Sequence, residues 1–177
     1  MKIFKIALLV LFITSCSSIN VNYDYERGTD FTKYKTYNYY SDLETGMNEL
    51  DSKRFIEALD TKLQAKGHTK SETPDFFINI QSNEFQEAQQ SSSVGVGVGG
   101  GGGNVGGGIS VGIPIGQSNI NRRIVIDFID ENGNGLFWQA ISDSGYNPKS
   151  SPEKRKASLI AIAEKVLLQY PPEQKLK

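Results

Sequence analysis

The sequence is poor in the residues that most often carry chemistry. Among 177 residues it has one cysteine, Cys16, and one histidine, His68. An internal disulfide therefore cannot form, and one His without a second Cys cannot build a zinc site from the usual ligands. No Gly-Lys-Ser or Gly-Lys-Thr occurs, which excludes a P-loop. Because we find no paired acid and base, we predict that the protein is not an enzyme and uses no cofactor.

The sequence also lacks an excess of either charge, since it has 19 basic and 20 acidic side chains. The formal net charge is −1, so no strong field favours nucleic acid as a partner. The apolar run at residues 6–13 is too short to span a bilayer as a mature helix. Lys2 and Lys5 precede this run, and Ile13-Thr14-Ser15-Cys16 closes it. A basic start followed by a short apolar run is typical of a secretory signal peptide.

A branched apolar residue, two small residues and a cysteine resemble a bacterial lipobox. By that resemblance, residues 1–15 are a lipoprotein signal peptide and the thiol of Cys16 is lipidated. An ordinary signal peptide followed by an unrelated cysteine is the alternative, but it leaves a free thiol in an oxidising compartment. Ser17 follows without an acidic run, and in the sorting rules that this resembles a serine there permits passage to the outer membrane. We therefore expect a lipid-anchored protein of the bacterial cell envelope, on the periplasmic face of the outer membrane.

Two apolar, β-branched runs at residues 122–129 and 136–142 predict the centre of a sheet. Between them lies Asp130-Glu131-Asn132-Gly133-Asn134-Gly135. Asn-Gly between apolar runs is a strong hairpin signal, because both residues accept the positive φ that a primed turn requires. Two Asn-Gly pairs leave the register open. Trp138 is the only tryptophan, and we expect it to be a core anchor.

The remaining periodic segments predict one domain. Alternation indicates strands at 21–25, in the second half of 30–40, and at 76–81 with a possible extension to 87. Amphipathic helices are expected over 48–66 and over 152–170. The fold class is therefore α+β, with an antiparallel sheet and two helices packed on one face. The predicted boundaries are a tether at 16–22, the domain at 23–172 and a polar tail at 173–177.

The two helices carry cap signals and apolar stripes. Asn48 or Asp51 can cap the first helix, and Gly67 suits its left-handed C-terminal position. Ser151 and Pro152 open the second helix. The residues expected to face the core are Leu50, Phe55, Ile56, Ala58, Leu59 and Leu63 in the first helix, and Ile160, Ala163, Leu167 and Tyr170 in the second.

A glycine-rich insertion occupies residues 91–117. Twelve of the 18 glycines fall between Gly95 and Gly116, and the flanks alternate with Val and Ile. One interpretation is two glycine-weakened strands joined by a tip at 99–108. The other is a long disordered insertion, since glycine has the most entropy to lose on ordering; we favour a flexible hairpin insertion. A formal GxGxxG at 97–102 lacks the following helix that would meet a pyrophosphate, so it predicts no nucleotide site.

Several short motifs stand in order along the chain. They are Val21-Asn22-Tyr23-Asp24, Asp30-Phe31, Tyr34-Lys35-Thr36-Tyr37, Lys66-Gly67-His68, Pro74-Asp75-Phe76-Phe77, the segment from Val125 to Trp138, and Tyr170-Pro171-Pro172. Together they resemble the bacterial lipoprotein family called domain of unknown function 4136. The chain departs from the family pattern at His68, where an aromatic residue is common, and at Gln139, where a basic residue is frequent. The resemblance implies an envelope lipoprotein with an α+β domain and no established activity.

Four tyrosines on the second predicted strand form the possible binding surface. They are Tyr34, Tyr37, Tyr39 and Tyr40. Their rings could stack against sugars or peptidoglycan, although packing within the sheet explains them as well. A second group, at the start of the second helix, is basic and is either a solvated helix start or a contact for anionic headgroups. Its members are Lys149, Lys154, Arg155 and Lys156.

Three polar residues could carry chemistry, but each is better explained by a structural role. Asp130 begins the first half of a calcium loop, but its twelfth position is Ile141 instead of Glu, and turn chemistry explains the same residues. Asp127 interrupts an apolar strand and is expected to face solvent or to pair with a base such as Arg122 or Arg123. His68 follows the capping glycine and is expected at the surface.

These observations predict a non-enzymatic lipoprotein whose domain is a binding or assembly module. Its partners would be the membrane, through the lipid anchor, and an unknown envelope protein or cell-wall component. The alternative is a lipoprotein that binds a small ligand or a peptidoglycan glycan through the tyrosines and the region of Trp138. Nucleic acid is not an expected partner.

Overall fold

The computed structural model describes residues 18–86, 120–133 and 135–173. Its strands are β1 (Asn20–Tyr25), β2 (Thr36–Tyr39), β3 (Thr69–Lys70), β4 (Phe76–Gln86), β5 (Ile120–Asp130) and β6 (Gly135–Tyr146). Its helices are α1 (Glu49–Ala65) and α2 (Pro152–Val166), with single 3-10 turns at Phe31–Lys33 and Leu167–Gln169. The predicted signal peptide, Cys16, the glycine-rich insertion at 91–117 and the end of the polar tail lie outside the described residues.

The six strands form one sheet in the order β1-β6-β5-β4-β2-β3. The α+β class is confirmed, but the prediction of an antiparallel sheet is wrong for part of it. β2 pairs in parallel with both β3 and β4, whereas β4, β5, β6 and β1 pair antiparallel. The cause is α1, which follows β2 and returns the chain to the end of the sheet where β2 began. The sheet is therefore mixed.

β5 and β6 form the predicted central hairpin. Asp130 pairs with Gly135, so four residues separate the strands, and Gly135 takes the positive φ of +68 where β6 begins. The register shifts after Phe128, which pairs with Trp138, while Ile129 pairs with Leu136. Phe137 is therefore the extra residue of a β-bulge. The bulge lets Phe137 and Trp138 both lie in the core, at 0% and 1% exposure.

Both helices cover the same face of the sheet. Asn48 caps α1 by accepting the Asp51 N–H at 3.0 Å, and Gly67 ends the helix at φ +89. Ser151 caps α2 ahead of Pro152, as predicted. The buried side chains of the helices join one core cluster with those of the sheet: Phe55, Ala58, Leu59 and Leu63 of α1, and Leu159, Ile162, Ala163 and Val166 of α2.

Two expected core positions are exposed. Leu50 is 62% exposed and Ile160 is 37% exposed. Each lies next to a buried residue one position along its helix, Asp51 and Leu159, and so points about 100° away from the core. The buried face of α1 therefore begins, in the first turn of the helix, with the carboxylate of Asp51.

The burial of Trp138 confirms its expected place in the core. Its ring centroid lies 4.6 Å from that of Phe128 and 5.1 Å from that of Tyr170. Val125 and Ile129 of the partner strand alternate with the buried positions of β5, so their side chains lie on the opposite face of the sheet from Trp138.

The two ends of the sheet differ in what meets there. At one end β1 and β5 begin and β4 and β6 end, with Asn20 opposite Asp143 and Ile120 opposite both Gln86 and Tyr146. We call this the tether end, because the chain enters β1 there. The helices run side by side in the same direction and start there too, since α1 meets α2 through Asp51–Arg155 near their starts and through Lys62–Glu164 near their ends.

Candidate functional site

A cleft of about 1030 Å³ opens at the tether end. Its walls come from the start of β1, the facing ends of β4, β5 and β6, the loop after β6 and the first turns of α2. Ser18 and Asn20 also line it. Because charged, polar and apolar side chains all line the cleft, we take it as the candidate site.

The cleft has a buried carboxylate, Asp51, in its wall. One oxygen accepts a hydrogen bond from Arg54 at 2.9 Å, and the other contacts Arg122 at 3.4 Å and Arg155. Burial alone would raise the pKa of Asp51. The hydrogen bonds from Arg155, Asn48 and Arg54 outweigh that effect and hold the pKa below its ordinary value.

Arg122 is the buried cation of the same network, at 3% exposure. Besides Asp51 it reaches Glu84, with Nη2 2.8 Å from Oε1, and its guanidinium carbon lies 3.5 Å from the ring centroid of Tyr146. Arg155 donates to the Tyr146 hydroxyl at 3.1 Å. Of the two alternatives for Asp127, pairing with an arginine is wrong, because Arg123 instead pairs with Asp143 at 2.8 and 2.9 Å. Asp127 lies half-buried on the sheet face away from the helices, which agrees with the solvent-facing alternative.

The lining carries more positive than negative groups. Four basic side chains, Arg122, Arg155, Lys149 and Lys154, face two acidic ones, Asp51 and Asp143. The arginines are engaged by carboxylates. Among the described residues, no carboxylate lies within 4.0 Å of either lysine ammonium group. Of the predicted basic group, Arg155 thus belongs to the ion network and the lysines stay exposed.

The four predicted tyrosines do not share one surface. Tyr34 and Tyr37 are in the core, at 6% and 0% exposure, so neither offers a ring face to a ligand. Tyr37 and Tyr39 both donate to Oδ1 of Asp60, at 2.9 and 2.8 Å, on the helix-covered face. Tyr40 lies on the opposite face, with its ring 4.9 Å from that of Phe77. A binding role for Tyr39 and Tyr40 stays a prediction.

His68 was expected at the surface, and this is wrong. It is 9% exposed, and its ring lies 5.5 Å from that of Tyr170 and 6.1 Å from that of Phe76. Burial first, and then the charges of Lys35 and Lys66, lower the pKa of His68.

Asp130 and Asp127 are held by neighbouring side chains and backbone. Asp130 accepts the Asn132 N–H at 3.0 Å and the Tyr34 hydroxyl at 3.0 Å, which ties the turn to the core. Asp127 accepts from Gln139 at 2.7 Å and from Asn79 at 3.4 Å. No group of three or more His, Cys, Asp or Glu side chains suited to a metal occurs among residues 18–86, 120–133 and 135–173.

The sheet face opposite the helices is rich in side-chain amides, which sequence patterns did not reveal. We call it the outward face. Alternation and register place eight amide residues on it: Asn20, Asn22, Asn38, Asn79, Gln81, Asn83, Asn121 and Gln139. Asn is disfavoured in strands, so this concentration opposes the propensity of the elements that carry it. Tyr40 and Phe77 stack at one edge of the same face.

The helices of the described ranges are too short or too polar to cross a bilayer. A family model described as domain of unknown function (DUF4136) matches residues 21–172. The chain belongs to the DUF4136 family. The resemblance inferred from the sequence motifs is thereby confirmed. Among curated proteins, none matches this DUF4136 chain significantly.

Two solved structures share the fold of this DUF4136 protein. A PDZ domain protein from Parabacteroides distasonis aligns with a TM-score of 0.55 and 14% identity. The alignment covers 95% of this chain and 40% of the Parabacteroides chain. The PelC dodecamer from Paraburkholderia phytofirmans aligns with a TM-score of 0.52 and 10% identity. The alignment covers 89% of this chain and 100% of the PelC chain. This chain thus spans about 40% of the length of the Parabacteroides protein. At such identities the likeness shows the fold alone.

Proposed function

We propose that the protein is an acyl-anchored, non-enzymatic lipoprotein of the cell envelope, on the periplasmic face of the outer membrane. Its domain is a binding or assembly module for another envelope component. The observation that supports this is the position of the residues that follow Cys16. Ser18 lines the cleft, and Cys16 is two residues earlier, a span of at most about 7 Å. Acyl chains on Cys16 would therefore hold the tether end at the bilayer surface.

The anchor is tested by replacing Cys16→Ala and labelling cells with a fatty-acid probe. We expect the label to disappear, because the thiol that would carry the diacylglycerol is gone. Ser17→Ala is the matched control, since it leaves the cysteine in place and should keep the label. Labelling that persists in Cys16→Ala would refute the anchor.

The partner is tested by crosslinking in intact envelopes. A photoreactive side chain at Asn83, on the outward face, should capture a discrete envelope protein if the domain is an assembly module. The same group at exposed Glu57 on α1 is the control, because it lies on the other side of the domain. Since PelC is a dodecamer, the products should also be examined for adducts between copies of this chain. Equal capture from both positions would contradict a specific interface.

A second candidate function is glycan binding, which the amide-rich outward face favours. Each side-chain amide offers both donors and acceptors, which suits ligands with many hydroxyl groups. We expect the protein to sediment with purified peptidoglycan glycan strands, and Asn79→Ala with Gln139→Ala to weaken this. Lys53→Ala on α1 is the control. Sedimentation that is unaffected by the outward-face changes would remove this candidate.

A further inference from the structure

We propose that the tether-end cleft binds the phosphate headgroup of an anionic phospholipid in the membrane that holds the anchor. The inference rests on the proposed function, because it needs the acylated Cys16 beside the cleft. It names a lipid ligand for the cleft, whereas the proposed function names only an envelope partner.

The first support is the length of chain between the anchor and the cleft. Only Ser17 separates Cys16 from Ser18, which lines the cleft. An acylated Cys16 lies at the depth of the lipid headgroups, and an extended pair of residues reaches no further than about 7 Å. The cleft opening is then within about one Debye length, roughly 8 Å, of the phosphates. A headgroup can meet the cleft without leaving the bilayer.

The second support is charge. The buried network holds three guanidinium groups, those of Arg54, Arg122 and Arg155, against two carboxylates, those of Asp51 and Glu84, so it keeps a net charge of +1. Lys149 and Lys154 line the same cleft, and no carboxylate of the described residues lies within 4.0 Å of their ammonium groups. The two lysines are therefore available to a phosphate, and the surplus charge of the network beside them has the sign that favours an anion.

The third support is the mixed character of the walls. Phe85 and Ile120 line the same cleft as the lysines, as do the polar residues Ser18 and Asn20. A phospholipid combines a charged phosphate with a polar glycerol and, directly below it, apolar acyl chains. A cleft with cations and apolar side chains together fits that combination better than it fits a free inorganic anion.

The test is a footprint on the full acylated chain in vesicles. The protein is reconstituted into vesicles of phosphatidylcholine, or of phosphatidylcholine with phosphatidylglycerol, and lysines are acetylated with a neutral reagent and quantified by mass spectrometry. We expect phosphatidylglycerol to slow acetylation of Lys149 and Lys154 about fivefold, the effect of one surface lysine on binding to anionic lipid. Lys154→Gln should reduce the protection that remains at Lys149.

Lys156 is the matched control, because it is exposed on α2 close to the bilayer but does not line the cleft. Equal slowing at Lys156 would indicate diffuse attraction to the membrane and overturn the headgroup site. Protection in phosphatidylcholine vesicles on adding inorganic phosphate alone would indicate a free-phosphate site and overturn the lipid assignment.

The two proposals fail in different ways. Absence of fatty-acid label on the chain refutes the anchor, whatever the footprint shows. A labelled, reconstituted chain whose Lys149 and Lys154 react equally in both vesicle types keeps the anchor and refutes the headgroup site.

Discussion

At the scale of single residues, Asp51 organises the tether end. It lies at the start of α1, on the face that buries Phe55 and Leu59, and three arginines from α1, β5 and α2 converge on it. A buried carboxylate without such partners would be neutral or expelled. The carboxylate therefore joins the two helices to the sheet as well as holding the cationic wall of the cleft.

We expect Asp51→Asn to destabilise the domain by about 3–5 kcal/mol, because it leaves buried Arg122 and half-buried Arg155 without their shared counter-charge. Asp143→Asn is the matched control. Its partner, Arg123, is half exposed, so the loss should stay below about 1 kcal/mol. Urea unfolding at neutral pH measures both. Similar values for the two variants would show that the buried network is not stabilising.

The same residue predicts how stability depends on acid. The folded pKa of Asp51 is lowered from 3.8, so its contribution is present above pH 3.8 and is lost as the pH falls through the folded pKa. Wild-type protein should therefore lose stability below about pH 4, and Asp51→Asn should lack this part of the loss. Unfolding curves between neutral and strongly acidic pH provide the comparison; parallel slopes in both proteins would exclude Asp51 as the source.

Trp138 is the largest of the fully buried side chains among the described residues. Trp138→Ala should cost about 3–5 kcal/mol, since it removes a fully buried ring from contact with Phe128 and Tyr170. Trp138→Phe should cost distinctly less, because it keeps an aromatic ring. Native fluorescence should be blue-shifted and should move to the red on unfolding. Red native emission that iodide quenches readily, with a stable Ala variant, would contradict the core position.

At the scale of elements, the sequence predicts local structure well where the signal is local. The β5–β6 hairpin, the Ser151-Pro152 helix start and the Gly67 helix end each depend on a few adjacent residues, and all three are confirmed. The parallel pairing of β2 with β4 depends on residues about 40 apart in sequence. Since β2 is four residues long, its pattern carries no information on strand direction.

The glycine-rich insertion lies outside the described residues, and its predicted tip supplies a prediction at this scale. β4 and β5 pair continuously up to Gln86 and Ile120, so the sheet is complete on either side of it. Deleting residues 99–108 should therefore change stability by less than about 2 kcal/mol, since shortening a loop alters closure entropy slowly. Thermal unfolding measures the change, and a larger loss would show that the tip is packed.

Gly46→Ala is the contrasting control for this deletion. Gly46 has φ +72, and an added Cβ would meet the backbone carbonyl of Ser82. One methyl group there should cost more than about 1 kcal/mol, because neither the backbone angle nor the space suits alanine. Gly46→Ala shows that thermal unfolding detects a local loss of packing, and a deletion that costs more than about 2 kcal/mol would contradict the prediction for the tip.

At the scale of the whole molecule, the family and fold class could be read from ordered motifs, but the cleft could not. Asp51, Glu84, Arg122, Tyr146 and Arg155 come from five different elements and meet only when the sheet and helices are assembled. Each residue alone is an ordinary cap, surface charge or strand end. His68 and the exposed Leu50 were misjudged for the same reason, because burial depends on neighbours that are distant in sequence.

The long β5–β6 hairpin also determines how far the domain reaches. β5 has 11 residues, and an antiparallel strand advances about 3.4 Å per residue, so the turn stands roughly 35 Å from the tether end. Under the proposed anchoring, this is several times the Debye length of about 8 Å. A molecule that binds at the turn is then screened from the membrane charge, whereas one that binds at the cleft feels the surface potential of the bilayer. The hairpin therefore separates two binding regions that experience different electrostatic potentials.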